Sequence, residues 1–138
     1  MLKILICCGG GFSSSALAAH MEKEVQEKHL SDVASFEFVP FLHLKDRKEP
    51  YDIAMLCPHL QMEMRNLKDK HYPAPLYFIP PRLYGLMNAE CFIEDAQDII
   101  ALWKENPTTV VTFPDEPRPL AIRRMTSHRR WLDAQKQD

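Results

Sequence analysis

The chain has 138 residues, 46% of them hydrophobic, and a formal net charge of −2. This length fits one domain with a substantial core. The near-neutral charge gives no field that favours nucleic acid or an anionic membrane. No apolar run approaches the ~20 residues of a membrane span, and the apolar start is too short for a signal peptide. We therefore expect a cytoplasmic protein that binds no nucleic acid.

The four cysteines lack the spacing of zinc ligands, so neither a metal nor an organic cofactor is indicated. In a cytoplasmic protein we expect them to be reduced. Nothing in the composition indicates an oligomeric state.

Four apolar segments are predicted strands, and three segments with helical spacing of apolar residues are predicted helices. The predicted strands cover 2–7, 34–41, 52–57 and 76–79, and the predicted helices cover 14–28, 60–70 and 89–105. Helical crossovers imply parallel neighbours with a right-handed connection. The expected fold class is therefore α/β, a three-layer sandwich with a four-stranded parallel sheet in the order 2-1-3-4, flanked by helices. Pro40 predicts an edge position for the second strand.

The C-terminal part differs in composition, and we expect two regions, an α/β domain over 1–105 and a proline-containing, basic extension over 106–138. Residues 118–138 hold six Arg or Lys and two Asp, which leaves a charge of +4. A short strand at 108–113 and a basic amphipathic helix over 120–136 are predicted. Binding to a partner protein or a membrane surface and packing back on the domain remain alternatives for this helix.

Cys8 directly follows the first predicted strand, and a loop rich in glycine and serine leads from it into the first helix. Such a loop turns backbone N–H groups toward one point, and the helix dipole adds positive charge there. A thiolate or a phosphate is stabilised by this arrangement, so Cys8 is the predicted nucleophile, whereas Cys7 is expected to be structural. The predicted phosphate-binding loop comprises Gly9, Gly10, Gly11, Phe12, Ser13, Ser14 and Ser15.

The same loop lacks the cation that a cysteine phosphatase needs. Such phosphatases carry an Arg six residues after the cysteine, where this chain has Ser14, and no Arg or Lys lies between Lys3 and Lys23. The Arg neutralises phosphoryl oxygens in the transition state. Its absence favours a phosphoryl carrier over a hydrolase.

Three motifs resemble the enzyme IIB components of the bacterial sugar phosphotransferase system, in the lactose/cellobiose (chitobiose) class. The segment from Cys8 to Ser15 resembles the family's Cys-containing loop, 52–58 resembles its Asp-apolar-Gly-Pro-Gln segment, and Tyr84-Gly85 resembles its Tyr-Gly. The similarity spans about residues 2–104. Cys57 stands where the family usually has Gly, and His59 where it has Gln.

The resemblance implies a phosphocysteine transferase with a fold like that of the low-molecular-weight phosphatases. A IIA protein would donate phosphate from a histidine to Cys8, and Cys8 would phosphorylate a sugar held by the membrane-embedded IIC permease. The implied location is the cytoplasm, peripheral at the inner face of the membrane through IIC. The sequence does not indicate which sugar is phosphorylated, because IIC would bind the sugar.

Two further residues are candidate supports of the loop. His59 would bond a phosphate on Cys8 or tune its pKa, with a plain surface role as the alternative. Tyr84 would support the loop or a partner surface, with packing as the alternative. Three other function classes stay open: a non-catalytic IIB-like regulatory module, a relative of low-molecular-weight phosphatases or arsenate reductases, and a thiol redox sensor that uses Cys8 with Cys7 or Cys57.

Overall fold

The computed structural model describes residues 1–8, 12–58, 60, 67, 72–86, 88–116 and 121–136, and for 12–15 the backbone alone. The strands are β1 (Leu2–Cys8), β2 (Ala34–Pro40), β3 (Ile53–Leu56) and β4 (Leu76–Phe78). The helices are α1 (Phe12–Glu27), α2 (Phe41–Leu44), α3 (Pro81–Leu86), α4 (Ala89–Glu105) and α5 (His128–Lys136).

The sheet is parallel throughout and has the order β2-β1-β3-β4, which confirms the predicted fold class. Central β1 pairs with β2 from Leu2↔Ala34 to Cys8↔Pro40, and with β3 from Ile4↔Ile53 to Cys7↔Leu56. As Pro40 predicted, β2 is an edge strand that ends there.

Both faces of the sheet are covered because the buried strands are apolar on both sides. Alternate residues of β1 divide between two clusters, with Ile4 and Ile6 in one and Leu5 and Cys7 in the other. The first cluster joins the sheet to α1 and α4 through residues such as Leu17, Met21, Phe92, Ala96 and Ile99. The second joins the sheet to Leu44 of α2 and to Leu60 and Leu67, which follow β3 in the chain. These are the three layers of the sandwich.

Helix boundaries differ from the predicted ones in three places. Helix α1 begins at Phe12, two residues before the predicted start. Helix α3 was not predicted; it begins at Pro81, because proline is well suited to the first position of a helix. Helix α2 was not predicted either, and it begins at Phe41, the residue with which the second strand was expected to end. The helix predicted over 60–70 lies mostly outside the described residues.

The C-terminal segment joins the sheet beside β4. Val110 forms a parallel bridge to Leu76, the amide of Leu76 donates to the Thr109 carbonyl at 3.1 Å, and Val111 donates to the Leu76 carbonyl at 2.9 Å. The strand predicted at 108–113 is thus a single bridge. Its last residue, Phe113, is buried in the first cluster and packs edge-on against Tyr77 at 6.0 Å between ring centroids.

A buried ion pair anchors the segment beyond this bridge. The Arg124 side chain is 1% exposed and donates to Asp95 Oδ2 at 2.9 Å, to Tyr77 Oη at 2.8 Å and to Glu116 Oε2 at 2.9 Å. The Tyr77 hydroxyl donates to the same Asp95 oxygen at 3.0 Å, and the amide of His128 donates to Asp95 Oδ1 at 2.7 Å. Burial, reinforced by the Asp95 carboxylate, raises the pKa of Tyr77 well above its usual value, so it stays a neutral donor.

Helix α5 begins at His128 and not at residue 120 as predicted, because residues 122–127, around the buried Arg124, are irregular and bent and not helical. It packs back on α4, whose acidic side chains face its arginines. Arg129 contacts Asp98 at 2.8 Å, and Arg130 contacts Glu94 at 2.8 Å and Glu90 at 3.1 Å. Of the alternatives for the basic segment, the structure shows packing on the domain.

Replacing Arg124 with methionine should lower the free energy of unfolding by about 3–5 kcal/mol, because the Asp95 carboxylate would stay buried without its cation. Urea denaturation followed by tryptophan fluorescence measures the change. The matched control is Arg129→Met, whose half-exposed partner Asp98 limits the loss to below about 1 kcal/mol. Equal losses in the two variants would contradict the anchoring role of Arg124.

Candidate functional site

The carboxyl ends of β1 and β3 lie side by side at one edge of the sheet. Strand β1 ends at Cys8, and Cys57 directly follows β3. The amide of Cys57 donates to the Cys7 carbonyl at 3.0 Å, so the ladder continues one residue beyond β3. Helix α1 begins four residues after Cys8. The structure thus brings together Cys8, Cys57 and the amino end of a helix, in the crevice where open α/β sheets bind ligands.

Cys8 and Cys7 occupy different faces of the sheet. Side chains alternate along a strand, so Cys8 shares the face of Ile4 and Ile6, which pack in the cluster beneath α1. Cys7 belongs to the opposite cluster. Cys8 is 3% exposed and lies on the face from which α1 begins, as a thiol beneath the predicted loop must.

The Cys7 thiol is held in its neutral form. Burial, supported by the neighbouring Cys57 and Cys8 thiols and opposed by Arg47, raises the pKa of Cys7 to about 12. Arg47 itself contacts Glu37 at 2.6 Å, and Glu37 also contacts Lys3 at 3.0 Å. A neutral thiol is a weak nucleophile, which agrees with the structural role predicted for Cys7.

Several predicted site residues lie outside what the structure describes. Gly9, Gly10, Gly11 and His59 are among these, and so are the side chains of residues 12–15. Their phosphate-binding roles stay predictions. The backbone of α1 is described from Phe12, and no acidic residue stands in its first turn, so no carboxylate offsets the positive end of the helix dipole there.

Tyr84 lies in α3, which follows the carboxyl end of β4 at the same edge of the sheet. Its side chain is half-buried against the first cluster, and its amide donates to the Pro80 carbonyl at 2.9 Å. Of the roles predicted for Tyr84, the structure describes its packing against this cluster.

A group with metal-ligand chemistry, which the sequence analysis missed, lies in the C-terminal segment. Ligand atoms of Asp115, Glu116 and His128 lie within 4.8 Å of one another. His128 Nε2 is 2.8 Å from Asp115 Oδ1, its ring stacks on Phe113 at 3.8 Å, and Arg124 engages both oxygens of Glu116. An open cavity of about 340 Å³ adjoins the group, with its described lining between positions 115 and 131. No sequence spacing signals this group, because the chain folds back to form it.

Iodoacetamide at about pH 9 should leave Cys7 of the folded protein unmodified, because a pKa of about 12 leaves roughly one thiol in a thousand ionised. Fragmentation of the peptide that contains both Cys7 and Cys8 identifies the labelled sulfur. Unfolding in urea before labelling is the control and should expose both thiols equally. Preferential labelling of Cys7 in the folded protein would contradict the assignment.

None of the helices among the described residues is long and apolar enough to cross a membrane. Comparison with curated proteins gives no match. The family model of the lactose/cellobiose-specific IIB subunit of the phosphotransferase system (PTS) matches residues 3–95, which include the Cys8 segment and all four strands except Leu2 of β1. The chain therefore belongs to the lactose/cellobiose-specific IIB family of the sugar phosphotransferase system.

Proposed function

We propose that Cys8 is the phosphoryl-accepting residue of this phosphotransferase component. A IIA histidine is the donor, and a sugar bound by the IIC permease is the acceptor. The observation that carries the proposal is the position of Cys8 at the carboxyl end of the central strand, directly before the segment that leads into α1. Family membership supports a phosphoryl-carrier role and interaction with IIA and IIC components in general.

The first transfer forms a thiophosphate ester. The Cys8 thiolate attacks the phosphorus of the phosphohistidine, the P–N bond breaks, and the histidine nitrogen leaves with the electron pair. In the second transfer a sugar hydroxyl attacks the phosphorus, the S–P bond breaks, and the thiolate is regenerated as the hydroxyl loses its proton. Backbone N–H groups of residues 9–15 and the α1 dipole stabilise the dianion between the two steps.

Weak hydrolysis follows from the charges around this segment. Lys3 contacts Glu37 at 3.0 Å, and Lys23 is an exposed residue of α1 that lies 3.9 Å from Glu27. Ser14 occupies the place of the phosphatase arginine. Because residues 9–15 contain no Arg or Lys, the loop itself supplies no cation to the equatorial oxygens in the transition state for attack by water. The phosphocysteine therefore survives until a sugar acceptor arrives.

We further propose that residues 1–105 carry this function and that residues 106–138 serve as a stabilising extension. Arg124, Arg129 and Arg130 are engaged with acidic residues of α4. The extension thus has little unpaired charge for an anionic membrane among its described arginines. The carrier is expected in the cytoplasm and reaches the membrane by binding IIC.

Phosphorylation should add one phosphoryl group to the chain and should be lost in Cys8→Ser, because the hydroxyl is a poorer nucleophile and leaving group than the thiolate. The protein is mixed with phosphoenolpyruvate, the general phosphotransferase proteins and candidate IIA proteins, and intact mass is measured. Cys7→Ala and Cys91→Ala are matched controls that should retain the added group, and circular dichroism checks that every variant folds.

Retained phosphorylation in Cys8→Ser would refute the thiophosphate mechanism. Failure of every IIA protein to phosphorylate a folded chain would favour the regulatory alternative. Appreciable turnover of p-nitrophenyl phosphate by the wild-type chain would favour the phosphatase alternative instead.

A further inference from the structure

Two cysteines meet at the carboxyl edge of the sheet. The register between β1 and β3 runs through Ile6↔Met55 and Cys7↔Leu56, and one further step sets Cys8 beside Cys57. The Cys57 amide donates to the Cys7 carbonyl at 3.0 Å, so the chain still lies against β1 one residue beyond β3. Cys8 and Cys57 are therefore neighbours on adjacent parallel strands.

Alternation along the two strands assigns both side chains to one face. Ile6 and Met55 belong to the cluster beneath α1, whereas Cys7 and Leu56 belong to the opposite cluster. The residues that follow, Cys8 and Cys57, accordingly share the face of Ile6 and Met55. They are 3% and 0% exposed, so both side chains are shielded from bulk water.

The distance between adjacent strands suits a disulfide between Cys8 and Cys57. Adjacent strands lie about 4.8 Å apart, and disulfides join Cα atoms that are roughly 4.4–6.8 Å apart. None of the four cysteines forms a disulfide in the structure. Cys7, one residue away, has its side chain on the other face and a thiol held neutral by burial.

We propose that Cys57 is a resolving thiol for Cys8, and that a peroxide converts the two into an intramolecular disulfide that blocks phosphate acceptance. The proposal rests on the phosphoryl-carrier function of Cys8. In the first step the Cys8 thiolate attacks one peroxide oxygen, the O–O bond breaks, hydroxide leaves and is protonated, and a sulfenic acid forms. In the second step the Cys57 thiol attacks the Cys8 sulfur, the S–O bond breaks, and the released hydroxide takes the Cys57 proton. Two thiols and hydrogen peroxide thus become one disulfide and two waters.

Phosphoryl transfer and oxidation compete for the same sulfur. A donor that carries phosphate must reach the Cys8 sulfur, and the path that admits a phosphohistidine also admits hydrogen peroxide. The nucleophile in both reactions is the thiolate. A phosphoryl group on Cys8 occupies that nucleophile, so the phosphorylated chain resists oxidation.

Cys57 also limits irreversible damage. Without a neighbouring thiol, a sulfenic acid proceeds to sulfinic and sulfonic acids, which thiols do not reverse. A disulfide is reopened by thiol exchange. Cys57 therefore makes the loss of function reversible.

The full-length chain is treated with hydrogen peroxide, and intact mass and non-reduced peptide maps are recorded. We expect a loss equal to two hydrogen atoms, a cross-link between the Cys7-Cys8 peptide and the Cys57 peptide, and recovery of both mass and phosphate acceptance with dithiothreitol. Cys8→Ser and Cys57→Ala should abolish the cross-link, whereas Cys7→Ala and Cys91→Ala should retain it. Cys57→Ala should instead gain oxygen atoms on Cys8, and dimedone should trap the sulfenic acid.

A cross-link that survives in Cys8→Ser but is lost in Cys7→Ala would overturn the proposal in favour of a Cys7–Cys57 pair. Oxygen gain on Cys8 with Cys57 present, or complete resistance to peroxide, would also overturn it. A chain that accepts phosphate on Cys8 but forms no disulfide separates this failure from the proposed function. A chain that forms the disulfide but accepts no phosphate from any IIA protein refutes the proposed function and leaves only the Cys8–Cys57 disulfide supported.

Discussion

The pairing of β1 on both of its edges is the constraint on which the remaining structure depends. Pairs with β2 continue to Cys8 and pairs with β3 continue to Cys7, so the strand has no freedom to slide or twist where it ends. A shift of one residue would exchange its two sets of buried side chains between the faces of the sheet. The Cys8 sulfur is therefore placed by the burial of Ile4 and Ile6. In this way the core, and not the loop, sets the direction of the candidate nucleophile.

The strands and their order were predictable because each is short, apolar and bounded by polar or proline residues. Cys8 could be singled out for a similar reason, since the segment after it concentrates three of the four glycines of the chain. The resemblance to the IIB family followed from this segment together with residues 52–58 and Tyr84-Gly85, and it agrees with the family match. The strand order and the family could thus be predicted from short segments of the sequence.

Features that depend on contacts between distant parts of the chain were not predictable. Arg124 contacts Asp95, which lies 29 residues earlier in the chain, and Tyr77, which lies 47 residues earlier. Contacts between such distant residues leave no periodic pattern in the sequence. A helix was predicted from residue 120 because the composition suits one, but residues 122–127 around the buried Arg124 guanidinium are irregular and bent. The redox alternative named both Cys7 and Cys57 as partners of Cys8, because the choice between them depends on strand register and not on spacing along the chain.

The family match ends at residue 95, and Asp95 is the residue whose buried carboxylate meets Arg124. The family-matched residues 3–95 and the C-terminal segment that holds Arg124 are consequently not independent modules in evolutionary terms. A homologue without the C-terminal segment would keep the Asp95 carboxylate but lose its arginine partner. A homologue without the carboxylate would keep Arg124 with no acid at position 95. Acid and arginine should therefore be inherited or replaced together, and their covariation across sequences would distinguish chains with this extension from those without it.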